Sequence, residues 1–246
     1  MGRFKGFDHV TFWVGNAKQA ASYFCSRLGF EYYAYQGLET GSRECATHVV
    51  RNGDVVFAFV SPLNPEGHEE FYKHIAKHGD GVKDVAFSVD DAQGIFEKAV
   101  SRGAIPVQEP TLLKETKDGL EFQVIMASVK TYGDTTHTFV QRNNNNHTSF
   151  MPGFQPHFLS EPLNDLLPAP KLERIDHCVG NQPDGEMEPA TSWYEDMLDF
   201  HRFWSIDDKM LHTEYSSLRS IVVADFDETV KMPINEPAPG KRKSQI

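Results

Sequence analysis

Residues 174–181 read RIDHCVGN, and residues 7–16 read FDHVTFWVGN. Both carry an Asp-His pair in an apolar setting and close on Val-Gly-Asn, and His9 and His177 stand 168 positions apart. A chance match would end at these few residues, but the flanks repeat as well. After Asp8-His9, Val10, Phe12 and Val14 alternate as in a strand; Ala20, Tyr23, Phe24 and Leu28 then share a helical face that Gly29 brings to a stop. After Asp176-His177 the order returns: a short strand, Pro189 near a helix start, Trp193, Tyr194, Met197 and Leu198 on one face, and Asp199-Phe200 where the first copy has Gly29-Phe30.

A third copy without the histidine lies between them. VKDVAFSVDD alternates, and AQGIFEKAVSRGA turns Ile95, Phe96, Ala99 and Val100 inward. Each helix is followed by three strand-like runs: 32–35, 44–51 and 55–60; 106–109, 121–127 and 137–141; 201–205, 212–215 and 219–224. The unit is therefore strand, helix and three strands, about 60 residues long, an α+β module written three times. A half-sheet with one helix buries one face, so such modules pair. Residues 1–145 are expected to form a complete two-module domain, 146–172 a linker, and 173–246 the first half of a second domain whose fourth module is missing, with apolar surface left open.

Hydrophobic residues at 39% and charged residues at 24% describe a folded chain rather than a disordered one. A net charge of -11 argues against nucleic acid and acidic membranes as partners, and the basic run Lys241-Arg242-Lys243 is short. No stretch is apolar for the roughly 18 residues a membrane span needs. The cysteines, Cys25, Cys45 and Cys178, are odd in number and widely spaced, which suits a reducing, cytoplasmic location better than a disulfide framework.

Other constellations have plainer readings. His74 and His78 are one turn apart without the glutamate of H-E-x-x-H, and a solvent-facing helix accounts for them. His212 and Glu214 share one face of an expected strand and could join His177 in a local metal site. In the first copy, the positions answering to further ligands fall near Asp84 and Thr138; threonine is a poor ligand, so no working metal site is expected around His9. Cys178 should face away from His177 as a small core residue. Asn146-His147-Thr148 matches a glycosylation sequon, a triplet that arises easily by chance.

The segments GLETGSRE, TYGDTTHTFV, IDHCVGNQPD, HTEYSSLRSIVV and MPINEPAPGKRKSQI resemble, in register along essentially the whole chain, the 4-hydroxyphenylpyruvate dioxygenases of animals, members of the vicinal oxygen chelate superfamily. The resemblance implies an amino-terminal portion of such a protein, with four modules expected and three present. It implies conversion of 4-hydroxyphenylpyruvate and O2 to homogentisate and CO2 in tyrosine and phenylalanine catabolism, by a homodimer holding Fe(2+) on two histidines and a glutamate. His177 matches the first iron ligand; the other two would belong to the absent module. Ser220, Pro233, Asn235 and Gln245 match substrate-pocket positions. The shortened chain is expected to be inactive alone, the alternative being a noncatalytic partner of a full-length subunit.

Overall fold

The computed structural model describes residues 2–117, 119–143, 149–168, 170–206, 213–244 and 246. Its elements are β1 (Phe4–Trp13), α1 (Ala17–Leu28), β2 (Glu31–Gln36), β3 (Cys45–Asn52), β4 (Val55–Pro62), α2 (Glu69–His78), β5 (Gly81–Val89), α3 (Ala92–Ser101), β6 (Pro106–Lys117), β7 (Leu120–Lys130), β8 (Thr136–Arg142), β9 (Gln155–Pro156), β10 (Gly180–Asn181), α4 (Met187–Leu198), β11 (His201–Ile206), β12 (Ser217–Ala224) and β13 (Lys231–Ala238).

Strand order makes the repeat explicit. The nine-stranded sheet runs β6-β7-β8-β5-β1-β4-β3-β2-β9, and the four-stranded sheet β10-β13-β12-β11. Each module thus places its first strand beside its last, in parallel, followed by the third and second: β1-β4-β3-β2, β5-β8-β7-β6 and β10-β13-β12-β11. Modules one and two join through antiparallel β1 and β5.

Local chemistry sets the helix limits. Asn16 caps α1 by accepting from the Gln19 amide, and Gly29 ends it in the left-handed region at φ 68°. A Cβ at Gly29 would also approach Pro170 Cδ to 2.5 Å. Asp199 holds the equivalent position after α4 at φ 54°. It is anchored there by ion pairs with Lys98 of α3 and with Arg102, the residue that caps the end of α3. The substitution of Gly by Asp between copies therefore marks a helix-to-helix contact.

The core has three parts. Residues of α1 pack on β3 and β4 around Cys25, Phe30 and Phe59. A second cluster fills the concave side of the nine-stranded sheet around Val49, Ala86, Phe122 and Phe150. In the largest, α3 and α4 lie together between the two sheets, joining Phe87, Phe96 and Phe139 to Tyr194, Phe200, Val223 and Ile234. The third module therefore buries one sheet face against the second. His137 seals this junction. Burial pushes its pKa down to about 4, so the imidazole is neutral; Nδ1–H donates to Val85 O at 2.9 Å and Nε2 accepts from the Tyr194 hydroxyl at 2.9 Å.

Four expectations need correction. On α1 the buried residues are Ala17, Ala21 and Cys25, whose small side chains let the helix lie close on β3 and β4, while Tyr23 and Leu28 are exposed. Residues 213–215 form no strand, and the fourth strand of the third module is β13, with Pro233 and Pro237 inside it. The prolines are tolerated because Asn235 and Lys231, on the same alternate positions, turn their carbonyls to the β10 side, where they accept from Gln182 and Cys178. The missing proline N–H groups face that sparsely bonded side, and pairing with β12 is continuous from Lys231 to Ala238. His74 does not face solvent: it is 7% exposed and sits edge-on to Trp13. His78 bonds Asp134 at 2.8 Å instead. Glu214 pairs with Lys241 at 3.3 Å, while His212 and the sequon 146–148 lie outside the described residues.

Tyr194→Phe keeps the ring and strips the hydroxyl from a buried imidazole acceptor. Urea unfolding should show a loss of about 2 kcal/mol for this variant; a change under roughly 0.5 kcal/mol, the range of neutral surface substitutions, would remove His137 from the account of the junction.

Candidate metal centre

Register assigns each side chain of the third module to a face. Ser220 lies opposite Asn235, Val222 opposite Pro233, Asn181 opposite Asn235, and His177 bridges Lys231. Because facing residues share a side, His177, Val179 and Asn181, Pro233 and Asn235, and Ser220 and Val222 all belong to the face turned away from α4. Cys178 and Gly180 point the other way, into the core beside Ile234, as alternation requires. Four of the residues singled out in the sequence, His177, Ser220, Pro233 and Asn235, are thereby gathered on one face; Gln245 lies outside the described residues.

That face is graded. One end carries His177, the middle the apolar row Val179, Pro233 and Val222, and the far end the polar row Asn181, Asn235 and Ser220. His177 Nδ1–H donates to Asp176 Oδ2 at 2.7 Å, and Nε2 has no hydrogen bond to a described residue. This hydrogen bond holds the Asp176 carboxyl below the usual carboxylate range. An imidazole whose Nδ1–H is taken by a carboxylate is fixed as a ligand through Nε2. Sequence reading found the histidine and missed its neighbour's role, although the repeated Asp-His pair was the available signal.

The first copy has the same pair in a different setting. His9 Nδ1–H donates to Asp8 Oδ1 at 2.7 Å, but both side chains are buried. Arg142 clamps Asp8 through Nε at 3.1 Å and Nη2 at 2.9 Å, and Nη1 holds the Phe150 carbonyl. Burial alone would raise the Asp8 pKa; the His9 hydrogen bond and the Arg142 charge outweigh it and bring it to about 2. Asp84, near His9, is enclosed and pushed upward by burial, while the hydroxyls of Thr136 and Thr138 donate to its Oδ1 at 2.6 and 2.9 Å. Ser128 closes the network on Thr138 at 2.8 Å. The ring of Phe150 stands 5.0 Å from that of His9, and Met151 and Phe154 pack into the same concave core. Residues read as linker thus plug the first cup.

Metal chemistry needs several donors around one point. Among the described residues no group of three or more His, Cys, Asp or Glu is placed to hold a metal ion. His177 fits as one nitrogen donor of a larger set, and the described residues do not complete that set.

Repeated strand-helix-three-strand modules, paired across their first strands and curled around an Asp-His strand, define the vicinal oxygen chelate architecture. The family described as "Hydroxyphenylpyruvate dioxygenase, HPPD, N-terminal" matches residues 1–154, and the "Glyoxalase/Bleomycin resistance protein/Dioxygenase superfamily" matches residues 174–245. The chain is 57% identical over its whole length to a 4-hydroxyphenylpyruvate dioxygenase of Tetrahymena thermophila and 54% identical to one of Xenopus tropicalis, spanning 60% and 61% of their lengths. A triple mutant of 4-hydroxymandelate synthase from Streptomyces coelicolor shares the fold, with a TM-score of 0.76 at 22% identity over 98% of this chain and 66% of that one. The chain belongs to the hydroxyphenylpyruvate dioxygenase family. No helix among the described residues is long and apolar enough to cross a membrane.

The clamped Asp8 predicts a pH dependence with a definite sign. Its folded pKa lies below its unfolded value, so its contribution is present above pH 4 and fades as pH falls toward 2. Unfolding free energies of the native protein and Asp8→Asn should differ by about 2 kcal/mol near neutrality and converge near pH 2. A difference independent of pH would contradict the clamp.

Proposed function

We propose that the full-length protein carrying this chain is an Fe(2+)-dependent 4-hydroxyphenylpyruvate dioxygenase, converting 4-hydroxyphenylpyruvate and O2 to homogentisate and CO2. The observation that supports this most is the register of β10, β13 and β12, which groups His177, Pro233, Asn235 and Ser220 on one graded face. When bound, ferrous iron would supply positions for a chelating 2-oxo acid and for O2.

The chain's own residues divide the remaining work. His177 offers Nε2 as one ligand, its tautomer set by Asp176. Val179, Pro233 and Val222 give the middle of the face an apolar surface suited to a benzene ring. Asn235, Ser220 and Gln245 supply neutral hydrogen-bonding groups that orient a polar substituent without adding charge near the metal. Residues 1–145 act as a structural domain whose plugged cup, with no group of three metal donors among the described residues, serves packing rather than chemistry. Residues 146–172 link it to 173–246, which carries half of the reactive site, the remaining ligands being supplied from outside the described residues. A cytoplasmic homodimer is the assembly we favour, in keeping with the free cysteines.

The test is coupled turnover. Full-length protein supplied with Fe(2+) and 4-hydroxyphenylpyruvate should take up O2 and release CO2 in equal amounts, and His177→Ala should lower kcat at least about a thousandfold, as loss of an essential group does. Residues 1–246 alone should give no turnover. Unchanged turnover in His177→Ala would overturn the assignment.

A further inference from the structure

The polar row at the far end of the cup contains a residue outside the set recognised from the sequence. Asn181 sits in the two-residue strand β10, opposite Asn235, and the Asn235 Nδ2–H donates to its Oδ1 at 3.2 Å. The backbone fixes the pair: the Gln182 amide donates to Asn235 O at 2.7 Å, and Cys178 N–H donates to Lys231 O. On the other side of β13, Ser220 faces Asn235, and its hydroxyl has no hydrogen-bond partner among the described residues. Three polar side chains therefore stand in one line across three strands, beside a row that is wholly apolar.

We propose that Asn181 is a positioning residue that fixes the amide of Asn235, so that the far end of the cup presents a defined acceptor to the polar para substituent of an aromatic ligand. The proposal rests on the function proposed above. An asparagine amide has a donor end and an acceptor end of nearly equal size, and an unrestrained amide can present either. Engaging Nδ2 with Asn181 turns the donor end toward β10 and leaves Oδ1 at the opposite end, on the side of Ser220. Asn235 is then the acceptor and Ser220 the adaptable hydroxyl for an incoming O–H.

Distance along the sheet assigns the end of the ligand concerned. Asn181 lies four positions after His177, about 13 Å along an extended chain. That span places the chelating oxo acid at the histidine end and the ring over Val179, Pro233 and Val222. The para hydroxyl then falls at the asparagine row. A hydrogen-bonding site arranged in this way discriminates against a ligand lacking the hydroxyl, because its polar groups are then left unpaired.

Calorimetric titration of full-length, Fe(2+)-loaded protein without O2 tests this, with 4-hydroxyphenylpyruvate and phenylpyruvate as the two probes. The native protein should bind the hydroxylated acid more tightly. Asn181→Leu, which removes the acceptor, should weaken binding of 4-hydroxyphenylpyruvate on the order of tenfold and leave phenylpyruvate within about twofold. Asn181→Asp, which keeps an acceptor of the same shape, should restore the preference. Asn181→Ser, too short to reach Asn235, should behave as the leucine variant does and serves if that variant fails to fold. Equal weakening of both acids, or no change in either, would overturn the positioning role while leaving the proposed function intact. A native protein that binds neither acid would overturn the function and the proposal with it.

Discussion

A four-stranded half-sheet carrying one helix has two faces, and the helix covers only one. Everything distinctive in this chain follows from how each module meets that constraint. Modules one and two join across β1 and β5 and close a concave surface, which Phe150, Met151 and Phe154 then fill. The third module buries its helix side against the second through α3 and α4, with Asp199 bridging the helices. Its other face keeps Val179 and Trp204 about half exposed.

The two Asp-His pairs illustrate how setting, rather than sequence, separates structure from chemistry. Both imidazoles donate Nδ1–H to the preceding carboxylate at 2.7 Å. At His9 the carboxylate is buried, doubly held by Arg142, and walled off by an aromatic ring. At His177 the same unit stands at the edge of an open face, with Nε2 uncommitted. Asp84 and its hydroxyl donors show what a cup becomes when a buried carboxylate is held by threonines: an enclosed, hydrogen-bonded core.

Much of this was legible in the residues. The limits of the first two modules, the inward faces of α3 and α4 and the stop at Gly29 follow from periodicity and cap chemistry, and the equivalence of Asp199 follows from the repeat; the face of α1 does not, because its small residues Ala17, Ala21 and Cys25 are the ones that meet the sheet. What escaped notice depended on registration between distant segments. The prolines of β13 hid a strand, because only its pairing reveals that their absent N–H groups face the sparsely bonded side. His74 looked solvent-facing because nothing local announces Trp13 as its neighbour. Phe150 read as linker, since a plug is defined by the cup it enters. Asn181 was invisible for the same reason: its importance lies in standing opposite Asn235, which no local motif encodes.

The central claim is that the open face of the third module, and not the plugged first cup, holds the metal. Ferrous iron content of the full-length protein, measured after exhaustive dialysis for the native form, His177→Ala and His9→Ala, addresses it most directly. The account predicts near-stoichiometric iron in the native and His9→Ala proteins and almost none in His177→Ala; iron retained without His177 and lost without His9 would contradict it.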